Sequence, residues 1–205
     1  MSGAGKIFML DDDQIFLELY QHFLESKGYQ VFTTDNAYKY LMYGRELQPD
    51  VLFLDINMPL LNGWEVLQQI SEDKILSEIP AVMLSVNQDE DLASLKGVAH
   101  FLYKPLAVEP MLEIVESYVS GGKNHEILLL EDYQPLQPGR EPLTRKRCFS
   151  THTVKAAKKY LQKNKPQKVA VRYNPENFEQ ACRDLDREDA VRVDSWEDVI
   201  GLMKK

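Results

Sequence analysis

Five short runs of apolar and β-branched residues recur in the first half of the chain: "KIFML" (6–10), "QVFTT" (30–34), "VLFLD" (51–55), "AVMLSV" (81–86) and "HFLYK" (100–104). Most are apolar without alternation, which a strand tolerates only when both of its faces are covered. The segments between them change to helical spacing. Phe16, Leu17, Tyr20, Phe23 and Leu24 repeat with that period, and Gly28 stands where a helix-terminating glycine belongs. Further helices are predicted over 36–46 and 63–72, from "DEDLASL" (89–95), and over 107–119. Strands alternating with helices predict an α/β fold: a doubly wound parallel sheet of five strands.

Residues 120–124, "SGGKN", have linker composition, and beyond them the pattern restarts. "EILLLEDYQ" (126–134) mirrors "KIFMLDDDQ" (6–14) at an offset of 120, and "CFST" (148–151) mirrors "VFTT" (31–34) at an offset of 117. At that second offset Pro49 meets Pro166, Asn57 meets Asn174 and "VLFLDIN" meets "KVAVRYN". One offset held without a gap over 27 residues indicates an internal repeat. The second copy is shorter. "PLQPGREPLTRKR" (135–147) carries three prolines and a glycine and cannot form a full helix, and only one helix fits between Arg172 and the last strand, "AVRVD". The expected organisation is a domain over 1–120, a linker over 121–125 and a smaller α/β domain of about four strands over 126–205.

Charge divides the same way. Residues 1–120 carry 7 Lys/Arg against 19 Asp/Glu, a net of −12, whereas 121–205 carry 17 against 13, a net of +4. The acidic half argues against nucleic-acid binding there. Residues 140–168 hold ten basic residues against the single acid Glu141. That segment could take an anionic ligand, nucleic acid or the acidic first domain, but a solvated helix face is the reading that best explains it, and no zinc-finger, helix-turn-helix or RNA motif accompanies it. No apolar run reaches the roughly 20 residues a membrane helix needs. Cys148 and Cys182 lack CxxC spacing and read as reduced thiols. A cytoplasmic protein without membrane contact is expected.

In a doubly wound sheet, functional residues collect at the carboxyl ends of the strands. Here those ends carry Asp11, Asp12 and Asp13, then Asp55, Ser85 and Lys104. Converging carboxylates repel, and a hard divalent cation such as Mg2+, which favours oxygen ligands, relieves that repulsion. Acids, one cation, a hydroxyl and an amine together suit phosphoryl transfer to a carboxylate.

"LDDD" (10–13), "FLDINMP" (53–59), Ser85 after an apolar strand and "YKP" (103–105), in that order, resemble the receiver domains of bacterial two-component response regulators over about residues 5–120. The resemblance implies a flavodoxin-like receiver fold in which Asp55 accepts a phosphoryl group from a histidine kinase or phosphotransfer protein. It implies that Mg2+ is bound by Asp12, Asp55 and the Asn57 carbonyl, with Asp11 acting through water. Ser85 and Lys104 would read out the phosphate, and Phe101 falls at the family's aromatic switch position. The protein would then be a phosphorylation-controlled signalling protein rather than an enzyme, with a downstream protein partner, and a homodimer is compatible with the family. A haloacid-dehalogenase-type phosphatase would need a second Asp where Asn57 stands. One departure from the family is Val86, a β-branched residue where Ala or Gly is usual; it is expected to narrow access to Asp55.

In the second copy Glu131 and Asp132 keep the acidic pair, Arg172 stands at the Asp55 position, and Asp194, ending the last strand, is expected at the Lys104 position. That pattern suggests a degenerate pseudo-receiver, held by ion pairs, that serves as an output domain. A nucleic-acid-binding regulator using 140–168 is the alternative.

Overall fold

The computed structural model describes residues 4–86, 98–119, 127–131, 148–151, 154–163, 166, 168–172, 181–185 and 189–192. The helix expected from residue 89, the linker, Asp132, Asp194 and residues 140–147 lie outside them, as do the side chains of Glu131 and Arg172. The chain forms two compact units, one built from residues 1–90 and 97–120 and the other from 91–96 and 121–205.

The first unit is a five-stranded parallel sheet in the order β2-β1-β3-β4-β5. Its strands are β1 (Lys6–Leu10), β2 (Gln30–Thr34), β3 (Val51–Asp55), β4 (Ala81–Ser85) and β5 (His100–Tyr103). Helices α1 (Gln14–Ser26), α2 (Ala37–Leu47), α3 (Gly63–Glu72) and α4 (Val108–Val119) alternate with them. The central strands β3 and β4 are buried at every residue, as their unbroken apolar runs require. Registers are regular: Ile7 pairs with Val31 on one side and Val51 on the other, and Phe53 pairs with Val82.

Local chemistry sets the helix ends. Asp13 caps α1, its carboxylate accepting from the N–H groups of Ile15 and Phe16 at 3.0 and 3.1 Å. Gly28 ends the same helix at φ +90°, with its N–H on the Glu25 carbonyl and the Tyr29 N–H on the Leu24 carbonyl, a pattern that favours glycine. A capping box of Asn62 and Glu65 opens α3. A short 3-10 turn, Leu76–Glu78, precedes β4 and was not foreseen in the sequence. Asp73 makes it, accepting from Ile75 and Leu76 N–H at 2.8 and 2.9 Å.

The second unit contains β6 (Ile127–Glu131), β7 (Cys148–Thr151), α5 (Val154–Lys163), β8 (Lys168–Arg172) and β9 (Val191–Arg192), and residues 181–185 are helical. Its four parallel strands run in the order β7-β6-β8-β9. Ala157 and Tyr160 of α5 are buried, with Val169 of β8 and with Ala181 and Leu185. The pairings Ile127–Cys148 and Ile127–Lys168 occupy the places that Ile7–Val31 and Ile7–Val51 hold in the first unit.

One expectation is corrected here. Val191 of β9 pairs with Ala170 of β8, as Val82 of β4 pairs with Phe53 of β3. The last strand therefore takes the place of β4, not β5. At that alignment Asp194 falls opposite Ser85 in the sequence rather than opposite Lys104. The motif "AVRVD" misled because any strand ending in a polar residue fits either place, and only hydrogen-bonded neighbours distinguish them.

Tyr40 of α2 is fully buried with its ring edge-on to Phe8 at 4.8 Å, and its hydroxyl has no hydrogen-bond partner among the described residues. A buried hydroxyl without a partner costs free energy that a matching apolar group does not. Tyr40→Phe keeps the ring contact and removes the hydroxyl, so it should stabilise the first unit by about 1 kcal/mol in urea melts.

Candidate functional site

The parallel sheet places β1 beside β3, and both carry an acid where the apolar run stops. Asp11 follows β1 and Asp55 ends β3; both are buried. The crossover reverses direction at β1, with β2 on one side and β3 on the other, so the crevice at their carboxyl ends is the topological switch point. Asp12 is exposed, and ligand oxygens of Asp11, Asp12 and Asp55 lie within 4.8 Å of one another.

Lys104, just after β5, reaches across β4 to both buried acids. Its Nζ lies 2.6 Å from Asp11 Oδ2 and 2.7 Å from Asp55 Oδ1. Backbone pairing carries it there: the Lys104 N–H donates to the Ser85 carbonyl at 2.7 Å, extending the β4–β5 ladder by one residue. One ammonium is thus shared between the two carboxylates in charge-assisted contacts. Asp11 Oδ1 accepts the Asp13 N–H at 3.0 Å.

These surroundings shift both groups. Burial pushes the Asp11 carboxyl above its ordinary value; the Lys104 ammonium and the Asp13 N–H oppose that rise, and the Asp55 charge adds to it. Burial pulls Lys104 down, but its contacts with Asp11 and Asp55 outweigh that and hold its amine above the ordinary value.

The remaining candidates sort by place. Ser85 is the buried last residue of β4, and Val86 beside it is 58 % exposed. Asn57 is exposed in the turn after β3. Phe101 is half-buried on β5, with its ring centroid 5.1 Å from that of Tyr103. Asp13, grouped with the strand-end acids in the sequence, serves as the α1 cap, with its Oδ1 accepting the N–H groups of both Ile15 and Phe16.

Two residues at the site escaped sequence reasoning. Gly63 opens α3 with its N–H on the Ile56 carbonyl at 2.9 Å. A Cβ there would lie 2.3 Å from the Asp55 carbonyl oxygen and 2.9 Å from Ile56 Cα, so only glycine lets the helix start this close to the Asp55 backbone. The signal was present in "LLNGW", where Asn-Gly precedes an amphipathic run. Phe16, on the first turn of α1, puts its ring centroid 4.6 Å from Lys104 Nζ; its spacing in the sequence marked it only as core.

The model of the response regulator receiver domain matches residues 7–116, just over half of the chain. The chain belongs to that family. Residues 7–116 are a receiver domain, the phosphorylation-accepting module of two-component response regulators. The polar-differentiation response regulator DivK of Brucella anthropi is 27% identical over 116 residues, which cover 55% of this chain and 94% of that protein. Among solved structures, the Vibrio cholerae chemotaxis protein CheY4 superposes with a TM-score of 0.52 at 25% identity, covering 55% of this chain and 97% of that one. The signal receiver domain of a signal transduction histidine kinase from Syntrophus aciditrophicus gives 0.53 at 26%, covering 60% and 96%. A further receiver domain, from a Pseudomonas aeruginosa sensor histidine kinase, was solved with a magnesium ion coordinated in its active-site cleft. At 18% identity, a TM-score of 0.51 and coverage of 55% and 95%, it speaks to the receiver's fold.

The direction of the Asp11 shift has a consequence for stability. The folded receiver holds the Asp11 proton more tightly than the unfolded chain, so ionised Asp11 lowers stability as pH rises above about 3.8. Asp11→Asn should therefore stabilise the chain at pH 7 in magnesium-free buffer. The gain should shrink as pH falls and vanish below 3.8, where the carboxyl is protonated in both states. Urea melts of both proteins across that range check the sign.

Proposed function

We propose that the protein is a response regulator that accepts a phosphoryl group on Asp55 from a histidine kinase or phosphotransfer protein. The observation that carries this reading is the Lys104 ammonium bridging Asp11 and Asp55 at 2.6 and 2.7 Å at the switch point of the sheet. An Asp55 oxygen attacks the phosphorus of a phosphohistidine in line. The new P–O bond forms as the P–N bond breaks, and the imidazole leaves with the bonding pair and takes up a proton. Lys104 stays charged, since the two carboxylates hold its amine above the ordinary value, and it turns to the phosphoryl oxygens as the carboxylate charge at Asp55 is consumed. The Ser85 hydroxyl donates to another of those oxygens.

The donor set fits a magnesium ion. Three carboxylates supply hard oxygens within 4.8 Å of one another, and one ammonium offsets only part of their charge. Asp12, Asp55 and the Asn57 carbonyl would hold the ion, with Asp11 acting through water. When bound, it neutralises charge on the equatorial phosphoryl oxygens.

Phosphorylation then biases a two-state equilibrium through Ser85 and Phe101. The responding face is that of β5, α4 and the segment expected to form a helix from residue 89, and it presents the change to a downstream protein partner. The second unit is read as a degenerate receiver copy acting as the output module, with domain limits at 1–120 and 126–205. Support comes from the shared strand order and register, in which Glu131 pairs with Arg172 in the strand places that lead to Asp11 and Asp55 in the first unit. A guanidinium cannot accept a phosphoryl group, so that copy carries the scaffold without the chemistry. No helix among the described residues is long and apolar enough to cross a membrane, which accords with a cytoplasmic place of action.

Acetyl phosphate with magnesium should add one hydroxylamine-labile phosphate to the full chain. Asp55→Asn should abolish it with nothing remaining on the second unit; equal labelling of the substituted protein by intact-mass spectrometry sinks the assignment. Val86, exposed beside the buried Ser85, stands where it can crowd a small donor. Val86→Ala should then label faster with acetyl phosphate, and an unchanged or slower rate removes the steric role.

A further inference from the structure

The mechanism above uses Lys104 but leaves open what holds a flexible four-carbon side chain at the centre of the site. Two contacts from α1 converge on the segment that carries it. The Phe16 ring lies against the ammonium, with its centroid 4.6 Å from Nζ. One turn further along the helix, Tyr20 places its ring centroid 4.5 Å from that of Phe16, and its hydroxyl donates to the Leu106 carbonyl at 2.9 Å in a buried hydrogen bond. Helix α1 thus grips the chain on both sides of Pro105, at the Lys104 side chain and at the Leu106 backbone. Its own position follows from the Asp13 cap, which starts the helix directly after the strand-end acids and brings Phe16 onto the first turn.

Resting on the reading that Lys104 serves phosphoryl transfer at Asp55, we propose that Phe16 is a positioning residue, holding the Lys104 ammonium over the acceptor through a cation–π contact. The Lys104 side chain is only 15 % exposed, so its ammonium is largely stripped of water, where such a contact is strongest. A ring face also suits the task better than a third carboxylate. It attracts the cation without a fixed hydrogen-bond direction, so the ammonium can swing from the two carboxylates to an incoming phosphoryl group while keeping that contact. An added anion would compete with the phosphoryl oxygens for the same three N–H donors. The aliphatic residues Leu and Ile would fill the space but lack the negative ring face.

The test uses the full chain with acetyl phosphate and magnesium, following phosphate on Asp55 by intact-mass spectrometry. Phe16→Leu keeps the bulk and removes the ring, and it should slow labelling by about 5- to 30-fold. Phe16→Tyr keeps the ring face and should label within about twofold of the unsubstituted protein, the ring being the only feature it shares that Leu lacks. The Lys104 ε-methylene protons report the contact independently. Their NMR signal should be shifted by the ring current in the unsubstituted protein and in Phe16→Tyr, and should return to the ordinary lysine position in Phe16→Leu. Wild-type labelling by Phe16→Leu, or labelling as slow in Phe16→Tyr as in Phe16→Leu, overturns the proposal, because the ring would then matter only as packing. Absence of the ring-current shift overturns it as well. Labelling of the unsubstituted protein at a residue other than Asp55 overturns the site reading instead, and the NMR comparison still decides whether the ring holds the lysine.

Discussion

Two carboxylates buried at the ends of neighbouring strands, facing one ammonium, are the constraint on which the receiver's architecture turns. Asp11 and Asp55 are removed from water, where like charges a few ångströms apart repel strongly and ionisation is penalised. Lys104 offsets part of that cost from the far side of β4. Burial nonetheless holds the Asp11 carboxyl above its ordinary value. Three carboxylates beside one ammonium leave the crevice acidic, which suits a divalent cation.

The surroundings hold this strained set in place by local means. Asp13 turns the chain into α1 immediately after the acids, so the helix that follows carries Phe16 to the lysine. Gly63 allows α3 to begin against the Asp55 backbone. The β4–β5 ladder, continued by Lys104 N–H to the Ser85 carbonyl, sets where the lysine emerges. These devices act close to the strand ends, so the site is built at the carboxyl ends of the sheet while the core below it is mostly apolar.

The second unit shares strand order with the first but not its strand-end residues. It keeps the strand order and the register of the first four strands, yet it carries Arg172 where the receiver carries Asp55. Strand pairing is set by apolar packing and backbone hydrogen bonds, which do not depend on the residue that ends the strand. The same order of strands can therefore form with a different residue at the strand end. Placing "AVRVD" required the sheet itself. Val191 beside Ala170 makes it the counterpart of β4, whereas the sequence shows only a final strand with an acid after it.

How much was legible follows from the range of each interaction. The strands Lys6–Leu10 and Val51–Asp55 stood in the sequence with their observed limits, because a strand covered on both faces is a near-continuous apolar run, whereas the half-buried edge strand Gln30–Thr34 was readable from its β-branched and aromatic residues. The motif acids, Ser85 and Lys104 were also readable, since their order along the chain carries the family resemblance. Asp13 was not, because an acid serving a site and an acid capping a helix look the same until the N–H groups of Ile15 and Phe16 are in place. Phe16 and Tyr20 were visible only as helical spacing; what they touch lies more than 80 residues away, on a loop that the sheet brings back to α1. The amino-acid order by itself determined the elements, their alternation and which polar residues stand at the strand ends, all properties of local pattern. Tertiary structure alone decided which strand lies beside which, which acids lose their water, and which aromatic ring meets the lysine, because those depend on contacts between segments far apart in the chain.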